Sequence, residues 1–231
     1  MTSSKPDDDT TVIAIDGPSG TGKSSVAREV ARRLGVGYLD TGAMYRALTA
    51  VVLAEGVDPA DGEAVAERAA GLAIGIDTDP EIDNVTVNGQ DVTEAIRSPE
   101  VTAAVSAVSA VPAARRRLVA AQRRLTQGST AVVEGRDIGT VVFPTARLKI
   151  FLTATPAARA ARRAAQLGVV EPAEIATLAE GLRARDELDS TRAESPLRPA
   201  ADAVVIDSTE LSREDVVEAI LNAVTAHGRS E

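Results

Sequence analysis

Cysteine is absent from the 231-residue chain, which excludes disulfides and Cys-ligated metals outright. The single histidine, His227, lies near the C-terminal end and argues against a His-based triad or zinc site. Tryptophan is also missing and aromatic residues make up 2% of the chain, so Ala, Val, Leu and Ile must fill the core. Lysine is scarce. Lys5, Lys23 and Lys149 stand among 25 cationic side chains, and the rest are Arg, whose planar fork matches phosphate and carboxylate. No apolar run approaches the ~20 residues of a membrane span. The formal net charge of −9 argues against broad nucleic-acid binding, which rests on an excess of basic charge. The polar, acidic opening MTSSKPDDDT resembles neither a signal nor a transit peptide. It reads as a disordered tail over residues 1–10 of a cytoplasmic protein, followed by a single domain over residues 11–231.

What is present is an alternation. Five short apolar, β-branched runs, Val12–Ile15, Val36–Leu39, Ala131–Val133, Leu148–Leu152 and Ala203–Ile206, suit a parallel sheet covered on both faces. Helical patterns separate them. Ser24–Leu34 ends at Gly35, and Ala43–Ala54 ends at Gly56, with Thr41 a candidate N-cap. Pro112 and Pro156 suit first helical turns, of helices closed by Gly128 and Gly168. Ser212 with Asp215 marks the start of a C-terminal helix. The expected fold is therefore a doubly wound α/β core. One stretch breaks the alternation: Ile82–Val87, Asn88-Gly89 and Gln90–Thr93 read as a hairpin inserted into the parallel core.

Gly17-Pro18-Ser19-Gly20-Thr21-Gly22-Lys23-Ser24 fits G-x-x-x-x-G-K-[ST] between a strand and an amphipathic helix. Small residues let the main chain curl so that N–H groups point inward, and the helix N-terminus adds partial positive charge. Lys23 can reach the outer phosphates of a nucleoside triphosphate. The Ser24 hydroxyl can hold Mg²⁺, and Ser25 supplies a second hydroxyl. The motif alone does not separate a kinase from a switch or a motor. A guanine-reading N-K-x-D segment is missing, because Lys149 sits in Leu148-Lys149-Ile150-Phe151. A small kinase is the remaining common reading, its acceptor open to another small metabolite or monophosphate, with an ATP-binding regulatory module as the non-enzymatic alternative.

A second anionic substrate needs its own cations. Arg46 follows the second strand and Arg136 the third, both at C-terminal strand ends where ligands bind in open α/β sheets. Arg159, Arg162 and Arg163 share one helical face by spacing, as do Arg185, Asp189 and Arg192. Either face could equally be a solvated surface with weak ion pairs.

The segments IDGPSGTGKSS, LDTGAMYRAL, EGRDIGTVVFP, KIFLTA, RARDELDSTR and PAADAVVIDST, in this order, resemble bacterial cytidylate kinases over nearly the whole chain from Val12. That resemblance implies a five-stranded parallel core of the phosphate-loop class. It also implies a monophosphate-binding insert near residues 76–110 and a short mobile lid near 158–172. ATP with Mg²⁺ and CMP or dCMP would be the substrates, handled by a monomer without nucleic-acid or membrane partners. The resemblance puts Thr41, Arg46, Arg136 and Arg192 on the acceptor phosphate. Ser106, Arg115 and Asp137 would read cytosine, and Arg185 and Asp189 would lie near the sugar. Lys23, Arg136, Arg162 and Arg192 would carry the charge of phosphoryl transfer.

Overall fold

The computed structural model describes residues 11–228, and the expected N-terminal tail lies outside them. The chain runs β1 (Thr11–Asp16), α1 (Lys23–Leu34), β2 (Gly37–Asp40), α2 (Thr41–Ala54), α3 (Gly62–Gly71), β3 (Ile74–Ile76), β4 (Val85–Val87) and β5 (Gln90–Asp91). A 3₁₀ turn (Ala95–Arg97) leads to α4 (Pro99–Ala110), α5 (Pro112–Thr126) and β6 (Thr130–Gly135). A single π-helical turn (Ile138–Val142) precedes β7 (Leu148–Thr153), α6 (Pro156–Leu167), α7 (Pro172–Thr191), β8 (Val204–Asp207) and α8 (Arg213–Gly228).

The five expected core strands form one parallel sheet in the order β2-β6-β1-β7-β8. Each face is buried by its own set of helices, as the unbroken β-branched runs require. On one side Ile13, Ile15, Val132, Ile150 and Leu152 pack on Val26 and Val30 of α1 and Val217 and Ile220 of α8. On the other, Val12, Ala14, Leu39, Ala131 and Val133 pack on Ile138 and Val142 of the π turn. The fifth run departs from the expectation of cover on both faces. β8 is the sheet edge, and Val205 is 58% exposed.

Register decides where the site lies. Asp16 pairs with Gly135 and Asp40 with Glu134, so β1, β2 and β6 end at one edge. The loop after β1, the start of α2 and the segment after β6 are thereby side by side. The chain crosses over β1 between β6 and β7, the kind of switch in strand order beside which open α/β sheets bind ligands.

The helix ends are built as their residues dictate. Gly35 and Gly168 close α1 and α6 in the left-handed conformation, each donating its N–H back into the last turn. Ser212 and Asp215 form a reciprocal capping box: the Asp215 N–H donates to Ser212 Oγ and the Ser212 N–H to Asp215 Oδ2. One cap differs from expectation. Asp40, in extended backbone, caps α2 by accepting from the Ala43 N–H at 3.0 Å, while Thr41 is already the first helical residue.

The irregular stretch is antiparallel, as expected, but has three strands. β4 and β5 meet at Asn88-Gly89, both with positive φ (51° and 81°), the requirement of a tight two-residue hairpin turn. β3 pairs on the other side of β4. Val85, Val87 and Ile96 seat this small sheet on Ala43 and Ala47 of α2.

Candidate nucleotide site

The loop from Gly17 to Gly22 turns on three glycines with positive φ: Gly17 (150°), Gly20 (79°) and Gly22 (88°). At Gly17 a Cβ would lie 2.0 Å from the Leu152 carbonyl oxygen, so only glycine lets β7 pass this closely. The loop is held by its own atoms. Thr21 Oγ1 donates to the Pro18 carbonyl at 3.1 Å, and Lys23 Nζ donates to the same oxygen at 2.7 Å. The Ser25 hydroxyl turns back to the Gly22 carbonyl at 2.9 Å. The α1 N-terminus has no side-chain cap and no acidic residue in its first turn, so nothing local competes with an anion there.

Lys23 is buried, and burial together with the nearby Arg136 charge pushes its ammonium down to about 7. Such a group gains from an anion that restores its charge. Ser24 is exposed at the loop's end, close enough to the Glu134 carboxylate to lower it slightly. Burial raises Glu134 above the usual carboxylate range, and Asp40 adds to this; Tyr38 donates to it at 2.6 Å. Among the described residues there is no cluster of three or more His, Cys, Asp or Glu that could cage a metal.

Next to the loop stands a group of guanidiniums drawn from distant parts of the chain. Arg46 Nη2 meets Asp40 Oδ2 at 2.6 Å. Arg136 Nε donates to Asp189 Oδ2 at 3.1 Å, and Arg192 Nη1 lies 3.5 Å from Asp189 Oδ1. Arg185 shares this face of α7; burial, then the Arg136 charge, lowers its guanidinium to about 10. The Nε atoms of Arg185 and Arg192 are buried without a protein partner. Arg136 is the hub, close enough to Lys23, Asp40 and Arg185 to shift each of them. On Lys23 and Arg185 this is crowding of like charge, which a bound anion relieves, while Asp40 offsets part of the Arg136 charge.

Farther along, Arg115 Nη2 and Asp137 Oδ2 form a buried pair at 2.5 Å, with side chains 4% and 6% exposed. The Arg115 guanidinium also donates to the Ser109 carbonyl at 3.0 Å and lies over the Tyr45 ring at 5.2 Å. Ser106 is half-buried on α4 one turn earlier, its carbonyl accepting from Ser109 Oγ. Thr41 is buried and its hydroxyl donates to the Glu134 carbonyl at 2.7 Å. Gly135 makes room for this contact, since a Cβ there would fall 2.6 Å from Thr41 Oγ1.

The α6–α7 hairpin reaches over the phosphate loop. Both main-chain groups of Ser19 are held: its N–H donates to Asp186 Oδ1 at 3.0 Å, and its carbonyl accepts from Arg159 Nη1 at 3.0 Å. Arg159 and Asp186 are themselves paired. The arginines expected to share one face of α6 diverge. Arg162 Nη1 donates to Ser208 Oγ at 3.0 Å, in the loop after β8, and Arg163 pairs with Gln166 at the surface.

The structure thus brings Lys23, Arg46, Arg136, Arg185, Asp189 and Arg192 together and seats Arg115 and Asp137 beside them. It holds Arg162 elsewhere, on Ser208. Sequence reading missed Asp16, Asp40, Glu134 and Asp186, and put Arg159 on a shared helical face without giving it a role. The four missed are carboxylates ending strands or lying within a helix, which read in isolation as ordinary surface charge.

No helix among the described residues is long and apolar enough to cross a membrane. The family model described as "Cytidylate kinase" matches residues 13–226. A cytidylate kinase of Rhodococcus opacus (strain B4) is 56% identical over 216 residues, covering 93% of this chain and 94% of that protein. One of Streptomyces griseus is 51% identical over 215 residues, 92% of each chain. A crystal structure of an uncharacterized protein from Eubacterium ventriosum aligns with a TM-score of 0.53 at 12% identity. The alignment covers 94% of this chain and 99% of that one, and the likeness is one of fold alone. By sequence over nearly its whole length, the chain belongs to the cytidylate kinase family.

Proposed function

We propose that this protein transfers the γ-phosphate of ATP to CMP or dCMP, yielding ADP and CDP or dCDP, with the crevice at the strand ends as its site. One observation carries the assignment of residues: beside the glycine loop Arg185 and Arg192 each keep a buried Nε without a protein partner, and Arg136 lies close enough to both Lys23 and Arg185 to push their charged forms down.

The loop from Gly17 to Ser25 takes the triphosphate through main-chain N–H groups and Lys23. Arg46, Arg136 and Arg192 take the acceptor phosphate, with Thr41 at its edge, and Arg185 and Asp189 lie toward the sugar. The Arg115–Asp137 pair with Ser106 reads the cytosine edge, where a fixed donor and a fixed acceptor sit side by side. An oxygen of the acceptor phosphate attacks the γ-phosphorus in line, and the bond to the β–γ bridging oxygen breaks, leaving ADP. Little covalent work falls to the protein; catalysis is positioning and stabilisation of charge. Lys23, Arg136 and Arg192 supply that charge. Arg159, already at the loop, joins the expected Arg162, which would first have to leave Ser208.

The residues present suit Mg²⁺, which is bound by few protein groups and mostly through phosphates and water. The Ser24 hydroxyl would hold it, with the Glu134 carboxylate beside. When bound, the ion neutralises charge on the β- and γ-phosphate oxygens. The segment near residues 158–172, from α6 to the start of α7, acts as a lid that excludes water from the transfer. The acidic net charge fits a protein acting on free nucleotides rather than on nucleic acid, and the proposal takes it as a cytoplasmic monomer.

The test is a panel of CMP, dCMP, UMP and AMP with ATP, following ADP release. CMP and dCMP should be the best acceptors. Preference for UMP or AMP would refute the base assignment. ATP binding with no acceptor-dependent ADP release would point to a regulatory module instead.

A further inference from the structure

Asp16 is the last residue of β1 and the neighbour of Gly17, where the phosphate loop begins. Its buried carboxylate does not point into that loop. Oδ1 accepts from the Ile138 N–H and Oδ2 from the Gly139 N–H, both at 2.8 Å. Ile138 and Gly139 open the π turn, and the leading N–H groups of any helical turn lack partners within it. The residue placed to cap them is Asp137, but its carboxylate makes no cap and pairs with Arg115 instead. The capping carboxylate therefore comes from another strand, 122 residues earlier in the chain.

This division of labour has a consequence. Arg136 and Asp137 immediately precede the two held N–H groups, so a two-point, charge-assisted clamp fixes the segment that carries them. The same clamp is anchored one residue before the phosphate loop. We infer that Asp16 is a positioning residue for the acceptor: it sets where Arg136 and Asp137 stand relative to the bound triphosphate. The inference rests on the proposed roles of those two residues. Burial pushes Asp16 up to about 6 despite both N–H bonds, so retaining a carboxylate here opposes its own solvation.

The test is Asp16→Asn. The carboxamide keeps one acceptor and presents N–H₂ to the other main-chain N–H. Steady-state kinetics with CMP and with UMP are measured beside ATP affinity and the melting temperature. KM for CMP should rise roughly tenfold or more, as for loss of a charge-assisted hydrogen bond to a buried group. The CMP-to-UMP ratio of kcat/KM should narrow several-fold, with ATP affinity within about twofold of the parent. Two results would overturn the inference. One is a lowered melting temperature with unchanged KM and ratio, which is a purely structural role. The other is an equal loss of ATP affinity, which makes Asp16 a part of the phosphate loop alone. Asp16→Glu, which keeps the charge on a longer arm, is read in the same way if the Asn variant does not fold. Arg115→Met separates the two levels of argument. If it leaves the CMP-to-UMP ratio intact, the acceptor-site reading fails. If it erodes the ratio and the Asp16 variants do not, only the role of Asp16 fails.

Discussion

The two halves of the crevice are built in opposite ways. The half proposed for the triphosphate is one contiguous loop, residues 17–24, whose curl comes from positive-φ glycines and from internal bonds between residues two to five apart, with Asp186 and Arg159 bracing it from outside at Ser19. The half proposed for the acceptor has no contiguous sequence. Its side chains come from α2, α4, α5, the segment after β6 and α7, and beside the local pairs Arg46–Asp40 and Arg192–Asp189 it has ion pairs that span 22 residues (Arg115–Asp137) and 53 residues (Arg136–Asp189). Main-chain recognition tolerates side-chain change provided the curl survives. Side-chain recognition depends on each guanidinium and on the packing that aims it.

Substitutions on either side test that contrast, and the largest effect belongs to the buried ammonium of the loop half. Lys23→Ala should lower kcat for CDP formation on the order of 10³-fold, the scale for removing a charge from a transferring phosphoryl group. Because that ammonium is buried at a cost, the melting temperature should hold or rise. Turnover near that of the parent would contradict the loop assignment. Arg136→Ala should reduce CMP kcat/KM roughly 10²-fold while ATP titrates normally, since a single phosphate-binding guanidinium is lost from a shared group. If CMP kinetics are unchanged, Arg136 does not belong to the acceptor site.

Arg115→Met should cut the CMP-to-UMP preference about tenfold. It should also cost about 3–5 kcal/mol of stability, because it strands the Asp137 charge in the interior. Arg115→Met with Asp137→Asn should recover most of the stability and none of the preference, as thermal melts and acceptor competition would reveal. Recovery of both would make the pair a packing feature. A smaller effect is expected from Asp186→Asn, which weakens the hold on Ser19 and Arg159. KM for ATP should change about two- to fivefold with KM for CMP constant, within the range of a partly exposed ion pair. A larger change in CMP than in ATP would detach this contact from the loop half. Ser19→Ala should be the mildest, under about twofold in every parameter, because both Ser19 contacts use main-chain atoms.

Much of the fold is legible in local chemistry. The five parallel strands, the Asn88-Gly89 turn, the glycine C-caps and the Ser212–Asp215 box follow from rules that act within a few residues. Where local rules are evenly matched, the fold makes the choice. Asp40 and Thr41 are both capping residues, and the extended backbone of Asp40 is what makes it the cap. The run Ala203–Ile206 has the composition of a central strand but lies at the edge. Covering β8 depends on how many strands follow it, and none does among the described residues.

The site divides along the same line. By itself the sequence determined the phosphate loop, because its function resides in main-chain geometry that glycine spacing dictates. It also determined which arginines belong to α6 and α7. Only the tertiary structure decided where they point. Arg159 and Arg162 are three residues apart on one helix, yet one reaches the phosphate loop and the other the loop after β8. Asp16 likewise reads as a strand-end carboxylate until the pairing of β1 with β6 lays it beside the segment it caps. Helical spacing fixes the angle at which a side chain leaves its helix. Its partner is chosen by whichever distant backbone the fold brings within reach.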